Sequence, residues 1–179
     1  NNTARNGMAD LDWLGEVGPR LQITLARAAR AAKIDLELPV RAVLSTDFSN
    51  FDHQGFIFAP ELAYQNDDFL GKGIELKLGI SADFASEGLS DYFYEVPNNF
   101  VTGSRSAYNA KAGYMGTRLQ LSAFKPLTER WRVFAGINGE FHHGAANKSS
   151  PLFLNTSNIG VGAGVIWSFW QSDERVTDD

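Results

Sequence analysis

The residues best equipped for chemistry lie close together: His142 and His143, followed by Asn147, Ser149 and Ser150. A histidine within reach of a serine could activate it as a nucleophile, as in a serine hydrolase. That chemistry also needs a third group to orient the base, and nothing in a polar loop of this kind fixes such a geometry. The plainer reading is a polar strand end that runs into a loop. His53 has no second histidine or carboxylate at ligand spacing, so no metal site is expected. Gly160, Gly162 and Gly164 lack the lysine and the following helix of a phosphate-binding loop; their spacing marks one face of a strand, where they let bulky neighbours approach. The expectation is a protein without catalysis or cofactor.

What remains is charge ordered by alternation. In Ile34 to Leu44, I-D-L-E-L-P-V-R-A-V-L, the even positions Ile34, Leu36, Leu38, Val40, Ala42 and Leu44 are apolar, and Asp35, Glu37 and Arg41 stand between them. Side chains alternate across a strand, so one face is apolar and the other charged. Ile74 to Phe84 repeats the grammar, with Glu75, Lys77 and Asp83 on the polar face. Each ribbon is about ten residues long, which suits a tilted strand crossing a bilayer's hydrocarbon. Glu61, Arg118, Arg132 and Glu140 share the same inward parity on other strands. Together these mixed charges predict a barrel interior filled by interlocked ion pairs rather than a conducting pore.

The chain of 179 residues is 44% hydrophobic with a formal net charge of -5 and no cysteine. No apolar run is long enough for a spanning helix, but barrels escape bulk hydropathy because their two faces average out. The acidity argues against a nucleic-acid partner. The chain begins with neither Met nor a signal peptide, so it is expected to be processed or truncated.

About seven antiparallel strands follow from the alternation: Trp13 to Ala28, Ile34 to Leu44, Phe56 to Tyr64, Ile74 to Phe84, Tyr108 to Lys125, one from Trp131, and Ile159 to Phe169. Pro39 and Pro60 are expected at local bulges. Connections read short at Ala29, Asn66 and Pro126 and long at Asp47, Ala85 and Gly144, the asymmetry of outer-membrane barrels, whose short turns are periplasmic. Tyr64, Trp131 and Phe169 fall at short-turn ends, and Trp13, Phe56, Phe84 and Phe141 at long-loop ends, as two interfacial belts would require. Residues 85–107 carry no period and read as a long functional loop. The competing architecture is a soluble barrel or sandwich whose apolar face is a core face.

Six segments carry a resemblance: A-R-N-G-M-A-D-L (Ala4 to Leu11), E-V-G-P-R-L (Glu16 to Leu21), L-P-V-R-A (Leu38 to Ala42), Y-F-Y-E-V (Tyr92 to Val96), R-S-A-Y-N-A-K-A-G-Y-M-G (Arg105 to Gly116) and S-P-L (Ser150 to Leu152). In this order they resemble the MipA/OmpV family of MltA-interacting outer-membrane proteins. The resemblance implies an antiparallel transmembrane β-barrel in the outer membrane of a Gram-negative bacterium. It also implies a scaffold that contacts murein enzymes, a lytic transglycosylase and a penicillin-binding protein. It further implies strands ahead of the segment present, so that residues 1–170 would be the C-terminal part of a closed barrel of about 12 strands, followed by an acidic tail at 171–179. Tyr92, Phe93 and Tyr94 are expected to fold over the barrel mouth, pinned by Arg105 and Tyr108 through cation-π contact or hydrogen bonding. On the periplasmic rim, Arg27, Arg30 and Lys33 would meet the partner. Besides the scaffold, a small-solute pore remains the alternative, with hydrolysis ranked last.

Overall fold

The structure, a computed structural model, describes residues 3–28 and 31–170. Among these, nine strands form one antiparallel sheet: β1 (Trp13–Val17), β2 (Arg20–Ala28), β3 (Ala32–Thr46), β4 (Phe51–Phe58), β5 (Glu61–Asn66), β6 (Glu75–Ala85), β7 (Gly113–Pro126), β8 (Trp131–Phe141) and β9 (Ser157–Trp167). β1 and β2 both lie along β3, and β4 and β5 both lie between β3 and β6, so nine strands run as seven ribbons in a simple meander. These are the ribbons that alternation predicts. No pairing among the described residues joins the β1/β2 edge to β9, so the sheet is not closed by its own strands. None of the described helices is long and apolar enough to cross a membrane.

The ribbons are inside-out relative to a water-soluble domain. Asp35, Glu37, Ser81 and Asp83 are buried, while Leu62, Ile80, Leu121, Ile137 and Val161 are exposed, Val161 at 79%. Large aliphatic side chains normally fill the interior and charges the surface. Among the described residues nothing covers the apolar face. What core exists sits on the polar face at one end, where Val43, Ile57, Ala85 and Leu89 pack with Phe93 and Met115.

Three prolines lie side by side across neighbouring ribbons. The carbonyls of Pro19, Pro39 and Pro60 accept hydrogen bonds from the amides of Val40 (3.0 Å), Ala59 (3.4 Å) and Ala82 (3.1 Å). Each proline withholds a donor but keeps its acceptor in the ladder, so the seam costs the sheet few bonds. The outcome differs from bulges at Pro39 and Pro60: β3 runs through Pro39 unbroken, whereas its neighbours split at Pro19 and Pro60. Gly18 is required at the seam, because a Cβ there would stand 2.0 Å from the Val40 carbonyl oxygen.

Two connections correct the sequence reading. The link after β3 is not a long loop but a tight hairpin over residues 47–50, in which Asp47 Oδ1 accepts from the amides of Ser49 and Asn50, and Phe48 adopts φ +69°. Local carboxylate-to-amide bonds of this kind close a turn without help from packing. Residues 85–107 are not wholly irregular either. They contain α1 (Glu87–Tyr94), eight residues that could not persist alone and are held by burial of Leu89 and Ser90. Gly55 and Gly88 make room for it. A Cβ on Gly55 would lie 2.8 Å from the Leu89 amide nitrogen, and one on Gly88 would lie 2.9 Å from the Gln54 carbonyl oxygen.

Candidate functional site: the charged inner face and its cap

The polar face of the ribbons is a chain of ion pairs. Asp35, fully buried, accepts from Gln22 Nε2 (2.7 Å) and Thr24 Oγ1 (2.8 Å) on β2 and faces Lys33 Nζ at 3.0 Å. Glu37 takes Arg20 at 3.0 Å and Lys77 at 3.3 Å, and Lys77 reaches Glu61 at the same distance. Arg41 pairs with Glu16 (2.9 Å), Arg118 with Asp83 (2.7 Å), and Arg132 with Glu75 while lying over the Phe124 ring. The ten charges of the predicted inward parity thus all find partners, in separate clusters about Asp35, Lys77, Arg41, Arg118 and Arg132. Buried charges persist where each finds a partner and its remaining lone pairs are satisfied, as at Asp35. Parity alone did not match these charges to their partners Glu16, Arg20, Gln22 and Thr24, because naming the pairs requires the β1/β2 register across β3.

Lys33 stands near the start of β3, at the short-turn end, but is not free there. Its ammonium turns inward, where it neutralises a carboxylate that would otherwise be buried unpaired. Arg27 is exposed at the same end of the sheet. Arg30 and the acidic tail lie outside the described residues.

At the opposite end a cap covers the polar face. Tyr92, Phe93 and Tyr94 stand on α1, and Tyr94 packs on Phe153. Arg105 is buried and donates to three carbonyls, those of Ala4 (2.7 Å), Phe100 (2.9 Å) and Asn6 (3.1 Å), so it ties the N-terminal segment to the loop after α1 by hydrogen bonds. Arg5 donates to the Phe93 carbonyl, and the Tyr92 hydroxyl accepts from the Asp12 amide. Burial lowers the Arg5 guanidinium from its usual value. Tyr108 donates to Asn147 Oδ1, and its backbone forms a two-bond bridge with Val96. Burial first, and the charge of Glu140 second, raises the Tyr94 phenol.

The hydrolase candidates serve this cap. Ser150 Oγ donates to the Tyr94 carbonyl, Ser149 Oγ to the Tyr108 hydroxyl, and Asn147 exchanges bonds with the Lys111 backbone. His142 Nδ1 lies 2.8 Å from the Met115 carbonyl oxygen, with the ring set against Phe153. No serine-histidine hydrogen bond occurs among the described residues. Nor, among them, does any group of three or more His, Cys, Asp or Glu side chains have metal-site geometry. The paired glycines of β9 have a visible purpose: a Cβ on Gly160 would meet Asn138 at 2.4 Å, and one on Gly164 would meet the Phe134 ring at 2.6 Å.

Aromatic side chains gather at both ends of the apolar face. Trp131 stacks on Trp167 beside Phe169 at one end, and Trp13, Phe48, Phe51 and Phe56 stand exposed at the other.

The sequence model of the family described as MltA-interacting protein MipA matches residues 1–169. The chain belongs to that family. No characterised protein and no solved structure gives a significant match.

Proposed function

We propose that this member of the MipA family is a transmembrane β-barrel of the bacterial outer membrane that acts as a binding scaffold for a murein enzyme, not as a catalyst. One observation carries the membrane part: a continuous apolar face of exposed aliphatic residues, backed by a buried charged face and bordered by aromatics at both ends. Lipid tolerates no unpaired sheet edge, so in the barrel both the β1/β2 edge and β9 take a neighbour. The partner class follows from the family's description, which names interaction with MltA, a murein enzyme.

The short-turn end is the surface offered to that partner. It carries Arg27, Lys72 and Arg130, all exposed. A stable interface needs on the order of 800 Å² per partner, so several turns must act together. Rim charge tunes association rate more than affinity. In surface-plasmon kinetics on detergent-solubilised protein, glutamate at Arg27, Lys72 and Arg130 is expected to slow capture of a lytic transglycosylase. Deletion of residues 147–151 at the capped end is expected to leave capture intact. The reverse result would overturn the scaffold's orientation.

The ion pairs across the polar face support a filled interior over a conducting pore. Planar-bilayer recordings separate the two readings, and steady ohmic current through refolded protein would favour the pore.

A further inference from the structure

Beneath α1 the polar face and the cap do not meet completely: a cavity of about 210 Å³ lies between them. Its two sides differ in chemistry. Val43, Ile57, Leu89, Phe93 and Met115 make one side apolar, and Asp83, Arg118, Glu140 and His142 bring charge and polarity to the other.

The charges do not balance. Asp83 and Glu140 share a single guanidinium, and Arg118 gives its short contact (2.7 Å) to Asp83. Glu140 is left with Arg118 Nε at 3.6 Å and His142 Nε2 at 3.9 Å, and it accepts no hydrogen bond among the described residues. A neutral histidine does not fill the gap. Its Nδ1 faces a carbonyl, which can only accept, so in the neutral ring the proton sits there and Nε2 presents a lone pair toward Glu140. Two carboxylates on one guanidinium leave the polar side of the cavity with an excess of negative charge, which favours a cation.

We propose that this chamber binds a small amphiphilic cation, a primary ammonium on a short apolar body, with the ammonium on Glu140 and the body against Leu89, Phe93 and Met115. The size sets the class. Pockets for drug-sized ligands run about 300–1,000 Å³, so this one selects a single ring or a short chain. The site is independent of what the outer face touches and of any murein partner.

The test uses 2-phenylethylammonium, with 2-phenylethanol and 3-phenylpropionate as neutral and anionic counterparts. Saturation-transfer NMR and calorimetry are run on the detergent-solubilised protein near neutral pH. Saturable binding of the ammonium is expected, with both counterparts weaker by about tenfold or more, and about a tenfold loss in Glu140→Gln, which keeps the side chain's shape. A second variant, Met115→Trp, fills the apolar end and is expected to abolish binding while Glu140 remains; an unchanged melting curve shows that it is folded. Equal binding of all three probes would overturn the proposal, as would preference for the anion, full affinity in Glu140→Gln, or no saturable binding of the ammonium.

Discussion

At the scale of single residues, the ion pairs of the polar face differ in worth according to burial. Asp35 is wholly enclosed and holds three partners, whereas Arg132 and Glu75 are each about two-fifths exposed, at 39% and 43% of their side chains. Breaking a buried charged hydrogen-bond set strands its donors, at a cost of about 1–3 kcal/mol or more, while an exposed pair is worth about 0–1 kcal/mol. Asp35→Ala is therefore expected to lower unfolding stability in urea several times more than Glu75→Ala; equal losses would contradict the ranking. Asp91 on α1 makes a separate prediction from pH. Burial, with the negative charges of Glu95 and Glu87 behind it, raises this carboxyl above its ordinary value of 3.8. A carboxyl with a raised folded pKa favours the fold while protonated, and that contribution fades as pH rises through the folded value. Asp91→Asn should accordingly raise the urea midpoint at about pH 7 and change it little at about pH 3. Alternation made the inward charges readable, since parity alone places Asp35 or Arg118 on a face. It did not reveal that Lys33 turns onto Asp35, because a residue at a strand end can lean either way and only the buried carboxylate decides.

At the scale of elements, the long ribbons were readable and the short pieces were not. β3, β6, β8 and β9 each run for eleven residues or more, long enough for a period of two to stand out. α1 spans only eight residues, E-G-L-S-D-Y-F-Y, with one fully buried aliphatic, so it shows no helical stripe. Its position depends on contact with β4 that sequence spacing does not encode. Gly88→Ala tests that contact with two effects of opposite sign. Alanine improves intrinsic helix propensity by about 1 kcal/mol, but its Cβ would sit 2.9 Å from the Gln54 carbonyl oxygen. Because the obstacle is backbone, the steric effect is expected to win. α1 should lift from β4 and lose amide-exchange protection across residues 87–94, and gained protection would show that the helix is not seated against β4. The hairpin at residues 47–50 was misread for a related reason: D-F-S-N looks like an open polar loop until Asp47 closes on its own following amides.

At the scale of the whole molecule, one face is charged and enclosed and the other apolar and open, as the proposed lipid environment would require. Leu36, Leu76 and Ile137 lie on the apolar face, and arginine at any of them should cost roughly 2–4 kcal/mol in vesicle refolding if they stand near the membrane midplane. The polar face should tolerate neutral replacements such as Gln120→Ala far better. The most direct test uses the absence of native cysteine, which lets single spin labels be placed without background. Leu121 pairs with Ile137 across β7 and β8, and the next register pair, Gln120 with Asn138, occupies the opposite face. Labels at Leu121→Cys and Ile137→Cys in protein refolded into lipid vesicles should collide strongly with oxygen and weakly with a water-soluble nickel chelate. Labels at Gln120→Cys and Asn138→Cys should show less oxygen contact. Equal accessibility on both faces, or strong nickel collision at Leu121 and Ile137, would contradict the membrane reading.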